Sequence, residues 1–124
     1  MNEEILDLKL KGYCCSQMIM EMGLRRLGKE NEDLIAAMAG LCDGMRSGRA
    51  CGILSAAICL LYLADPKEAS QGLTEDLTDW FEDVFGAIDC EELIGNDPMG
   101  KVEKCPVMLE STFAMAAEML GWDQ

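Results

Sequence analysis

Apolar residues return at helical spacing along nearly the whole chain. Ile5, Leu6, Leu8 and Leu10 predict a short opening helix, which Gly12 interrupts. In "CCSQMIMEMGLRRLGK", Met18, Met22 and Leu27 keep near-helical spacing and Gly28 predicts the stop. Asn31 predicts the N-cap of a third helix through "EDLIAAMAGL", because its side chain can accept a hydrogen bond from a free backbone N–H two or three residues on. That helix should fade between Gly40 and Gly44. Residues 50–64 read as the most apolar helix, ended by Asp65-Pro66, since proline disfavours helical backbone in the residue before it. Thr74 predicts an N-cap for "EDLTDWFEDVFG", where Leu77, Trp80, Phe81, Val84 and Phe85 form a core stripe opposite Glu75, Asp79, Glu82 and Asp83. "DCEELIG" reads as a short helical turn, "NDPMGK" as a loop and "CPVMLESTFAMAAEMLGW" as a closing helix. No convincing strand remains. The expected fold is all-α: one domain over residues 1–124, a bundle of about five to six helices around the central apolar helix 50–64.

Composition agrees and narrows the partners. A chain of 124 residues, 50% hydrophobic, can bury about two thirds of the surface it exposes unfolded. Its formal charge of −13 repels phosphate backbones and anionic headgroups, which argues against nucleic acid and membrane surfaces. The acidic start "MNEEILDLKLKG" lacks the basic opening of a secretory signal. "ILSAAICLLYLA" falls short of the roughly 20 residues a spanning helix needs. A cytoplasmic protein without membrane insertion is expected. Eleven acids against Lys67 alone between Asp65 and Asp97 read as a solvated face, with an acidic docking surface as the alternative.

Seven cysteines in a reducing compartment favour metal binding or redox chemistry over structural disulfides. Four fall at expected helix starts. Cys15 and Cys51 stand in first turns, Cys90 follows Asp89 with Glu92 at capping-box spacing, and Cys105 precedes Pro106, a residue suited to the first helical position. Free N–H groups and the helix dipole stabilise a thiolate there. Arg46 and Arg49, two of only four arginines, would deepen that field at Cys51. Glycines 40, 44, 48 and 52 read as a loop more than a helix, with Gly48 and Gly52 beside Cys51 and backbone N–H groups free to nest an anion or sulfur ligand. Cys42 and Cys59, among apolar neighbours, read as packing. Cys14 is open between packing and a transient, strained disulfide with Cys15. There is no histidine, so His-ligated zinc and Cys-His catalysis are excluded, and without a Cys-x-x-Cys pair a thioredoxin-type site is not expected.

These blocks resemble a family of bacterial and archaeal proteins described as redox-active and defined by four cysteines with a Cys-Gly-Ala-x-x-Gly motif. "GYCCSQ" is similar to the family's first block and aligns Cys15 with its first cysteine; "ACGILSAA" aligns Cys51, "FGAIDCEELIG" Cys90, and "KCPVMLESTFAMAAEML" Cys105. Ile53 stands where the family has alanine, and Ala56 where it has glycine. The resemblance implies redox chemistry at the four cysteines and, from the family's gene neighbourhoods, a redox partner protein or a transporter-associated system.

Two chemistries fit Cys15, Cys51, Cys90 and Cys105 if they converge, within one chain or across a homodimer. As metal ligands they would hold an iron–sulfur cluster or Zn2+, with Arg46, Arg49, Gly48 and Gly52 as cofactor-binding surroundings. As a dithiol system, Cys51 would attack a disulfide or oxidant and a neighbour would resolve it, making the chain an oxidoreductase or electron carrier. The alternative is a non-enzymatic acidic adaptor or metal-binding module with its cysteines as core packing.

Overall fold

The computed structural model describes residues 3–95 and 100–122, without the side chains of 100–103. The opening residues form α1 (Glu3–Leu10), burying Ile5 and Leu8. Helix α2 (Cys15–Leu27) stops at Gly28 in left-handed conformation. Asn31 caps α3 (Glu32–Met38), its side chain accepting from Leu34 N–H at 3.0 Å. After a single 3-10 turn at Ala39–Leu41, Asp43, Gly44, Met45 and Arg46 take φ angles of 56°, 62°, 62° and 60°, a left-handed turn in the segment expected as a loop. That conformation costs a non-glycine residue roughly 1–2 kcal/mol. Hydrogen bonds offset part of the cost: Arg49 N–H donates to Gly44 O at 2.9 Å and Arg46 Nε–H to Ala39 O at 3.1 Å.

Helix α4 (Gly52–Ala64) is the expected central helix, with Cys51 as its N-cap. Ile53, Ala56, Ala57, Leu60 and Leu61 are fully buried, packed against α2 and the later helices. Asp65 then accepts from Glu68 N–H at 3.2 Å to open the single turn α5 (Pro66–Glu68). Helix α6 (Thr74–Phe85) follows a kink at Gly72. Thr74 is not the N-cap expected: its hydroxyl donates back to Ala69 O at 3.1 Å, a carbonyl that the kink leaves within reach. The stripe is narrower too, with Leu77 and Phe81 buried but Val84 55% exposed, because the core covers only one side of α6.

Helix α7 (Cys90–Ile94) is the expected short turn, and α8 (Gly100–Met119) closes the chain. The loop over "NDPMGK" falls partly on residues 96–99, outside the described residues, but α8 is already helical at Gly100. Cys105 and Pro106 therefore lie inside a helix, not at its start. Proline removes one backbone donor there. Burial of Met108, Leu109, Phe113 and Ala116, with α8 packed on α4, carries the helix through it. The fold is all-α, 82% helical, and no strand occurs among the described residues.

Candidate functional site

Two helix beginnings are tied together by backbone. Ala50 and Asp89 form an isolated antiparallel bridge, in which Cys51 N–H donates to Ile88 O at 2.7 Å and Cys90 N–H to Arg49 O at 2.6 Å. Cys51, the N-cap of α4, thus stands beside Cys90, the first residue of α7. The capping box expected at Asp89 and Glu92 does not form, and Asp89 makes no side-chain cap bond. The bridge satisfies the N–H of Cys90, the first residue of α7. Gly44 closes the left-handed turn onto this pair: a Cβ there would meet the Arg49 backbone and, at 2.7 Å, Cys90 Cβ.

The beginning of α2 is tied to the same place. Buried Ser16 donates through Oγ to Gly52 O at 3.1 Å, which sets Cys15, the first residue of α2, next to the start of α4. The approach depends on Gly52, since a Cβ would lie 2.5 Å from both Leu41 O and Ser16 Oγ.

Cys15, Cys51, Cys90 and Cys105 all line one cavity, walled also by Asp43, Ile53, Leu93 and Met108. Its volume is about 10 Å³, close to the least that admits one water. Burial pushes the Cys51 thiol up to about 11; backbone N–H groups of Leu54 and Ile53 oppose this, and the nearby Cys15 and Cys90 charges add to it. Cys90 is raised as well, by burial and then by Cys15. The three thiols therefore sense one another electrostatically.

This corrects the expectation of a low-pKa Cys51. The helix N–H groups act in the expected direction, but Cys51 is only 5% exposed and desolvation outweighs them. The arginines do not offset it. The Arg46 guanidinium binds Ala39 O and pairs with Asp43 at 3.6 Å, whereas Arg49 is exposed and serves the site through its backbone. Gly48 lies against Glu91, where a Cβ would stand 3.3 Å from the Glu91 Cβ.

A second correction concerns Cys14 and Cys42. They form a disulfide with Cα atoms 6.3 Å apart, whereas the sequence suggested packing for Cys42 and left Cys14 open between packing and a transient link to Cys15. The link joins the N-cap of α2 to the residue before the left-handed turn, 28 positions apart. No local spacing encodes such a pairing. Cys15, Cys51, Cys59, Cys90 and Cys105 are not in disulfides. Cys59 is half-buried outside the site, and burial raises its thiol.

Among the described residues, no three or more of His, Cys, Asp and Glu are grouped so as to hold a metal ion. The cavity, at about 10 Å³, has no room as it stands for an iron–sulfur cluster. No helix of the described residues is long and apolar enough to cross a membrane.

No curated protein and no solved structure matches this chain. Residues 13–119 match a family model described as "Putative redox-active protein (C_GCAxxG_C_C)", a span that runs from the residue before the Cys14–Cys42 link to the end of α8 and contains all four cysteines of the shared cavity. The chain belongs to this family of redox-active proteins.

Proposed function

We propose that the chain is a thiol–disulfide redox protein whose reaction centre is Cys15, Cys51, Cys90 and Cys105. The observation that carries this reading is the lining of one cavity by these four residues from four separate helical segments. Cys15 is the first nucleophile in this scheme. It is half-buried, begins a 13-residue helix and borders a second, larger cavity, whereas Cys51 is enclosed and held neutral by burial.

The Cys15 thiolate attacks one sulfur of a substrate disulfide, forming a mixed disulfide and expelling one substrate thiolate. Loss of the Cys15 charge removes one influence that raises Cys51 and Cys90. Either then attacks Cys15 Sγ and expels the second thiolate. The two thiols are oxidised to one protein disulfide, and the substrate takes up two electrons and two protons.

The test is oxidation of the anaerobically purified protein with a limiting small disulfide, followed by alkylation and peptide mapping. The expected result is a disulfide between Cys15 and Cys51 or Cys90. Stoichiometric iron with sulfide, or zinc, with all four cysteines protected until a chelator is added, would replace this reading with ligation.

A further inference from the structure

We propose that Cys14–Cys42 is a second redox centre, one that exchanges with a small, uncharged or weakly charged thiol bound in the larger cavity beside it. This centre is separate from the four-cysteine reading and stands or falls independently of it.

The cavity holds about 300 Å³, at the lower end of the range for small-molecule sites. Ile5, Tyr13, Met18, Pro106 and Leu109 supply an apolar wall, with Lys9 and Asp43 as its charged members. Both Cys14 and Cys42 line it. A disulfide that served only as a brace would gain nothing from facing a ligand-sized space. Strong net negative charge and an apolar lining disfavour a multiply anionic thiol.

The two sulfurs are not equivalent to an incoming thiol. Cys42 is 1% exposed, whereas Cys14 is half-buried and caps the N-terminus of α2. Access assigns the attack to Cys14. The thiolate of a first monothiol bonds to Cys14 Sγ; the Cys14–Cys42 bond breaks, and Cys42 Sγ leaves with the electron pair and takes a proton. A second monothiol attacks the sulfur of the first, so that Cys14 leaves as a thiolate, favoured by the positive end of the α2 dipole. Two monothiols are oxidised to their disulfide, and Cys14–Cys42 is reduced by two electrons. Cys15 and Cys105 line both cavities, which sets this pair against the four-cysteine centre.

The probe is 2-mercaptoethanol, applied to the oxidised full-length protein, with acid quenching, alkylation and tandem mass spectrometry. The adduct is expected on Cys14 at least tenfold above Cys42, in the folded protein. Lys9→Trp, at an exposed position on the cavity wall, is expected to slow opening at least fivefold while leaving Cys59 alkylation unchanged. Adducts on Cys42 at equal or higher level, opening only in denaturant, or an unaltered rate in Lys9→Trp would each overturn the proposal. So would failure of Cys14 and Cys42 to link after treatment with 2-hydroxyethyl disulfide. The four-cysteine reading fails differently, through the state of Cys51 and Cys90.

Discussion

Cys51 shows how one residue type answers to opposing fields. Two backbone N–H groups at the start of α4 favour its thiolate, and burial disfavours it more. An unfolded chain releases that proton near pH 9, whereas the folded chain holds it to about 11. Over this window the folded state binds more protons, so stability is fully present below pH 9 and declines as pH rises toward 11. Urea unfolding of the wild type and Cys51→Ala across this range should show a steeper alkaline loss in the wild type, by up to about 3 kcal/mol for two pH units. Below pH 9, alkylation of Cys51 in the folded protein should rise about tenfold per pH unit, following the thiolate fraction. A pH-independent fast rate would contradict the burial. The sequence showed which cysteine begins the central helix. It did not show how little solvent reaches it, because exposure depends on α2, α7 and α8 together.

Among elements, the junction of α2 with α4 matters most for the site. Ser16 Oγ–H donates to Gly52 O, and Gly52 leaves no room for a side chain between Leu41 O and Ser16 Oγ. Gly52→Ala should improve local helix propensity yet destabilise the fold by roughly 1–3 kcal/mol, because backbone must move to admit the methyl. Chemical denaturation of the variant checks the sign. A stabilised variant would show that the junction relaxes freely. The bridge at Ala50 and Asp89 is equally local in its bonds and distant in its origin, pairing residues 39 positions apart. Helix periodicity found α4 and α7 but gave no sign that their first residues would share hydrogen bonds. The same limit misplaced the start of α8: Pro106 suits the first helical position locally, yet packing of Met108, Leu109 and Phe113 against the core carries the helix through it.

Over the whole molecule, Cys14–Cys42 ties the start of α2 to the segment that leads through the left-handed turn to Cys51. Closing a loop across 28 positions restricts the unfolded chain by about 3–4 kcal/mol in the chain-entropy account. Reduced protein should therefore unfold at lower urea than oxidised protein by about that free energy, and Cys14→Ser/Cys42→Ser should abolish the difference. An unchanged midpoint would mean that the link does not hold the fold together. Binary patterning and caps determined the all-α class, the central apolar helix and the ends of α2 and α3, because each depends on residues within about one turn of one another. The four family cysteines were legible through local motifs and their places near helix starts, except Cys105, which proved interior to α8. Tertiary structure alone decided that the four line one cavity, that burial and not the arginines governs Cys51, and that Cys14 pairs with Cys42. Each of these depends on distance and solvent exclusion between segments far apart in the chain, and a one-dimensional pattern carries neither.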